Sequence, residues 1–263
     1  MQDNKMLNFI KDVLENRPTD WLNLTTHRLD IYDEKLAKTQ FLDEFETLYN
    51  NNNSESSALG ALSTAYDYIR LGHPLSCILE LGIANLHQLK PENVISFSSQ
   101  TAPILAILRK NLLDHRNTQI LYTNELPHFL DTELLRRIYG YKFELKKVES
   151  LEAVSVFNGS TVLISEQGKV DTTNSNQNID FFINTYNNLG SVLLVNGKQN
   201  ESYISAIQHV RRRETIAMTP ADCLVVLKSL VEQSSLDANN DSNETNKASV
   251  LDSIKEITGT TIK

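Results

Sequence analysis

The chain has 263 residues, 40% of them hydrophobic and 22% charged, the balance of a globular protein able to bury one good core. A net charge of −8 and a pI near 5.3 argue against a nucleic-acid or anionic-membrane partner, because both need a basic face. Cys77 and Cys223, the only cysteines, make neither a disulfide framework nor a zinc site, and their scarcity fits a reducing compartment.

The opening residues lack the apolar core of a secretory signal, and no apolar run is long enough to span a bilayer, so a cytoplasmic location is expected. Met6, Ile10, Val13 and Leu14 fall on one face of an amphipathic helix, which Trp21-Leu22 anchors to the body. A second helix is expected from Asp33 to Tyr49. The polar run Asn50–Ser57 reads as a linker. Residues 1–57 are therefore expected to form a helical appendage, 58–233 the core, and 234–263 a polar, disordered tail with a short helix at Val250–Ile257.

Within the core, Leu75, Ile78, Leu79, Ile83 and Leu86 keep helical spacing behind Pro74, which suits a first helical turn because its missing N–H has no partner there. Val94–Phe97 predicts a strand and Ala102–Leu113 a helix; Gln119–Tyr122 predicts a strand and Pro127–Tyr139 a helix. Strands are expected at Tyr141–Val148 and Thr161–Ile164, then a helix over Asn178–Asn188 capped by Gly190, then a strand at Val192–Val195. Ser202–Arg213 reads as a helix whose Arg211-Arg212-Arg213 forms a solvated last turn, and Pro220–Glu232 as another with Thr219 as N-cap. Strands alternating with helices at this spacing predict an α/β fold: three layers around a mostly parallel, doubly wound sheet.

The strand closing in Ser98-Ser99-Gln100-Thr101 and running into a helix has the shape of a phosphate cradle, where free N–H groups and the helix dipole favour an anion. Its plainer reading is a helix capped by its own hydroxyls. Tyr68 and Arg70 offer a hydroxyl and a guanidinium to the same anion, or merely anchor a turn. His73, His87, His115, His128 and His209 lack metal-ligand spacing and read as surface or turn residues, so no metal site is expected.

Tyr68-Ile69-Arg70-Leu71-Gly72-His73-Pro74 resembles the Tyr-Ser-Arg-x-Gly-Asn-Pro signature of the pyridoxal-phosphate (PLP) enzymes of transsulfuration, the cystathionine γ-synthase and γ-lyase family of fold type I. Phe97–Ala102 resembles its Phe-Ser-Ser-Gly-Met-Ala turn, Thr161–Glu166 its strand ending in Glu-Thr/Ser-Pro, Gly190–Val195 its strand ending in Val-Val-Asp-Asn, and Ile216–Leu224 its Leu-Ser-Pro-Phe-Asp segment. The resemblance runs in order from about residue 65 to 230 and implies an incomplete fold type I large domain. It implies PLP contacts from Tyr68, Arg70, Ser99, Gln100 and Thr101, with Asn196 where the family's ring-nitrogen aspartate falls.

The departures are as informative. The family's Schiff-base lysine lies in a Ser-x-Thr-Lys strand that has no counterpart here, and Lys198, in the turn Asn-Gly-Lys-Gln, is the one lysine near its place. An amide at 196 cannot supply the negative charge that keeps the pyridine nitrogen protonated. The expectation is a shortened relative, non-catalytic, acting as a binding or regulatory partner in a homo-oligomer or beside an intact PLP-family subunit. Two alternatives stand: a residual PLP-dependent lyase or transferase using Lys198, and an S-adenosylmethionine-dependent methyltransferase, whose glycine loop Ile78–Asn85 resembles in part.

Overall fold

The structure, a computed structural model, describes residues 5–23, 34–63, 69–123, 125–166 and 177–232. Tyr68 and the expected tail lie outside them. Six strands form one sheet: β1 (Val94–Phe97), β2 (Thr118–Tyr122), β3 (Glu144–Lys147), β4 (Ser160–Glu166), β5 (Phe181–Thr185) and β6 (Ser191–Val195). Their order is β1-β6-β5-β4-β2-β3. The pairs joining β3, β2, β4 and β5 are parallel, whereas β6 is antiparallel to both β5 and β1. One direction thus serves every strand except β6, and the sheet is mostly parallel.

Every residue of β1, β5 and β6 is buried, as expected of strands covered on both faces. Val94, Leu121, Leu163, Phe182 and Leu194 turn to one side, where they share a core with α1 (Lys5–Asn16), α4 (Pro74–Leu86) and α8 (Pro220–Glu232). Ile95, Phe97, Ile120, Val162, Ile183 and Leu193 turn to the other, against α5 (Ala102–Leu113) and α7 (Ile204–Glu214). This is the expected three-layer α/β architecture.

The two N-terminal helices share the first of these cores. Phe9, Ile10 and Val13 of α1 pack with Phe41 and Phe45 of α2 (Glu34–Asn50) and Leu59 of the short α3 (Ser56–Gly60) in the cluster that includes α4 and α8. The Phe9 ring meets Phe45 and Tyr49 edge-on, at 5.5 and 5.4 Å between centroids. Burying one such aromatic side chain stabilises by about 1.5–3 kcal/mol, so these helices contribute substantially to the fold.

Three expectations need correction. The helix expected over Asn178–Asn188 is β5 followed by a turn, because Phe181-Phe182-Ile183 is buried on both faces and shows no alternation to distinguish it from a helix. The helix expected over Pro127–Tyr139 contracts to α6 (Thr132–Arg137), started by the Asp131 side chain accepting the Leu134 N–H at 2.9 Å. Finally, β6 runs against its neighbours. Only Tyr186–Gly190 joins it to β5, and a parallel crossover needs about ten residues or more. Gly190 closes this turn at φ +126°, its carbonyl accepting the Tyr186 N–H at 2.9 Å. A side chain there would overlap the Phe97 carbonyl oxygen.

Candidate functional site

In open α/β sheets ligands favour the carboxyl edge of the parallel strands, here the end of β1 with the start of β6 beside it, Phe97 opposite Ser191. The loop after β1 is tightly held. Ser99 Oγ accepts the N–H groups of Thr101 and Ala102 at 3.2 and 3.1 Å, and Pro103 has no N–H to offer. Ser191 Oγ donates to the Ser99 carbonyl at 2.6 Å, and the Gln100 side-chain amide donates to the Asn187 carbonyl. Ser99 therefore spends its hydroxyl as an internal cap on the first turn of α5.

Arg70 comes to this edge through backbone bonds. Ser98 N–H donates to Ile216 O at 3.1 Å, and Ala217 N–H to Ile69 O at 2.9 Å. Two ladder spacings of about 4.8 Å put Ile69 roughly 10 Å from Ser98. The Arg70 side chain is exposed.

Asn196 and Lys198 lie elsewhere. Because β6 is reversed, it runs from Ser191 beside Phe97 to Leu194 beside Val94. Asn196 therefore sits about 16 Å from Ser191, at the amino edge of the sheet. Its side-chain amide donates to Ile179 O at 2.7 Å, and an exposed Lys198 opens the 3-10 segment Lys198–Tyr203. Neither shares a pocket with Arg70, Ser99, Gln100 or Thr101, so the structure splits the expected set between two ends of the sheet. These residues do not fit a Schiff-base PLP site. The lysine is at the wrong edge, the Ala102 N–H that opens α5 and the Thr101 N–H before it are already bonded, and the turn Tyr186–Gly190 contributes no lysine.

The most developed polar cluster is one that the sequence reading missed. Glu80, in the apolar middle of α4, is 2% exposed. Its carboxylate meets Lys38 of α2 at 2.5 Å and Arg211 of α7 at 3.0 Å, and accepts the Ser96 N–H and hydroxyl at 2.9 and 2.8 Å. Arg211 also donates to Leu71 O at 2.7 Å. Burial alone would raise the Glu80 pKa; Lys38 and Arg211 outweigh it and hold the carboxyl below its usual range. Arg211, expected in a solvated turn, is 3% exposed. The legible signal was Glu80 itself, a carboxylate among Cys77, Ile78, Leu79, Leu81 and Ile83 of a buried helix.

His73, expected at the surface, is also buried. Nδ1 accepts the Ser76 N–H at 3.2 Å, the Ser76 hydroxyl accepts the His73 N–H at 2.9 Å, and Nε2–H donates to Met218 O at 2.7 Å. It caps α4 and ties it to the segment leading into α8. Burial lowers its pKa to about 4, so the ring is neutral. Cys77 and Cys223 are buried free thiols; burial pushes Cys77 up to about 12 and Cys223 well above the usual range, so neither is a ready nucleophile. Among the described residues no group of three or more His, Cys, Asp or Glu side chains could hold a metal, and no helix is long and apolar enough to cross a membrane.

Gly82, the glycine on which the methyltransferase alternative depended, lies inside α4. A Cβ there would stand 3.1 Å from Ile10 Cδ1, so the glycine allows α1 to approach α4. It forms no cofactor loop.

No protein-family model matches the chain, and no curated protein matches it by sequence. Among solved structures, it is similar to metB from Corynebacterium glutamicum, at 14% identity and a TM-score of 0.47, covering 93% of this chain and 69% of that one. It is also similar to cystathionine gamma-lyase from Lactobacillus plantarum complexed with L-serine, at 10% identity and a TM-score of 0.49, covering 94% and 68%.

Proposed function

We propose that this chain is a non-catalytic relative of the PLP-dependent transsulfuration enzymes that acts in the cytoplasm as a binding or regulatory partner subunit. The observation that carries the reading is the separation of Lys198 from Ser99 by the length of β6, which leaves the expected anion turn without its lysine. Schiff-base chemistry needs a lysine at the cofactor carbonyl, in a pocket that lowers its pKa. Lys198 is exposed instead. Supporting a role at an interface, Arg70 stands exposed at the carboxyl edge beside Ser98, where a second chain can reach it. The partner is a second copy of the chain or an intact PLP-family subunit.

Affinity capture of the full chain from native extract tests the partner role. Recovery of a PLP-family subunit, or a solution mass of twice the chain alone, is the expected outcome. A monomer that captures no such subunit contradicts it. The second reading, a residual lyase or transferase, requires labelling of Lys198 by PLP and borohydride.

A further inference from the structure

The amino edge of the sheet, opposite the Ser99 turn, carries a polar cleft of about 640 Å³. Its walls are the connection from α5 into β2 (Arg116, Asn117), the loop entering β4 (Asn158, Gly159), and Gln199 and Tyr203 of the 3-10 segment. We propose that this cleft binds a small anion through Arg116: a carboxylate or phosphate group on a polar, hydrogen-bonding body.

Charge accounting points there first. Lys110 and Asp114, at the rim, neutralise one another at 2.7 Å, and Arg109 pairs with Glu214. Arg116 is half-buried, yet among the described residues no carboxylate lies within ion-pair distance of it. In a chain of net charge −8, a partly desolvated guanidinium without a counter-charge is expensive unless an anion supplies one.

The guanidinium is also held from behind. Nη2 donates to Gly159 O at 2.8 Å, Nη1 reaches the Tyr203 hydroxyl at 3.5 Å, and the group lies 6.0 Å from the centre of the Tyr203 ring. Tyr203 is fixed in turn by its hydroxyl donating to Asn111 Oδ1 at 2.5 Å and by packing on Phe181. A side chain at Gly159 would overlap Asn117 O, so the two entry loops meet at a position fitted only by glycine. Two of Arg116's five N–H groups are thereby occupied, and the rest remain for a carboxylate or phosphate fork. Carboxamides from Asn117, Asn158 and Gln199 and the Ser202 hydroxyl suit the polar body of such a ligand.

Calorimetric titration of the full chain with inorganic phosphate and, separately, with L-glutamate, at constant ionic strength, tests the site and distinguishes the two anion sources. Saturable one-site binding of at least one probe is expected. Arg116→Gln and the exposed rim change Gln199→Ala should each weaken it, the former by about tenfold or more. Circular dichroism checks that both variants fold. Failure of both probes to saturate overturns the proposal, as does equal affinity in the folded variants. The site lies at the other edge of the sheet from Ser99, so either result leaves the partner role to its own test.

Discussion

At Glu80 three side chains carry charge almost out of water: Lys38 at 10% exposure, Glu80 at 2% and Arg211 at 4%. Removing the carboxylate leaves two buried cations facing each other, which costs about 3–5 kcal/mol. Glu80→Ala should therefore lower the urea midpoint sharply with little change in slope. His73 gives a distinct acid response. Its folded pKa of about 4 lies below the ordinary histidine value of 6.5, so the unfolded chain binds the extra proton first as pH falls. The stability it contributes is complete above pH 6.5 and is lost as pH falls toward about 4, to the extent of about 3 kcal/mol. Glu80, with its depressed pKa, acts in the same direction further down, losing its contribution as pH falls through its folded value below 4.5. His73→Asn keeps a side-chain cap for α4 but cannot titrate. Its urea midpoint should vary less between pH 6.5 and 4 than that of the parent, and an unchanged profile would assign the acid response to other groups.

The elements differ in how plainly the sequence declares them. α8 was legible to the residue because Thr219 is a true cap: its Oγ1 accepts the Asp222 N–H at 3.2 Å and donates to the Asp222 carboxylate at 2.6 Å. α5 spans Ala102–Leu113, the bounds expected for it. β5 was not legible, because a strand buried on both faces loses the alternation that identifies strands. That miss hid the direction of β6, since the five-residue connection reads as a hairpin only once both flanking strands are seen. The same reversal sets Asn196 and Lys198 at the far edge from Ser99 and Gln100. Ser99 and Arg70 reach the carboxyl edge through local turns and the backbone bonds of Ser98 and Ala217. The buried cluster of Lys38, Glu80 and Arg211 spans three helices distant in sequence, which one sequence does not reveal.

The N-terminal helices are packed into the same core as α4 and α8. Phe9→Ala removes an aromatic ring at 2% exposure with two edge-on partners and should cost about 3–5 kcal/mol. Calorimetry should still record a single transition, moved to lower temperature. A separate early transition in the parent chain would mean that α1 and α2 melt independently of the sheet.

For the whole molecule, the α/β sheet carries at its carboxyl edge a turn whose Ser99 hydroxyl and carbonyl are bonded internally, while Lys198 stands at the opposite edge. The buried triad, the His73 cap and the Gly190 turn all maintain the shape of this edge, and Arg70 is displayed on it. The proposed partner role rests on this edge and on the position of Lys198 at the other one. The most direct test is to saturate the purified full chain with PLP, reduce it with borohydride, and map the pyridoxyl peptides. A non-catalytic partner subunit takes up no stoichiometric label on Lys198 and shows no saturable visible absorbance from an internal Schiff base. One pyridoxyl group per chain on a single lysine, with that absorbance, would contradict that role.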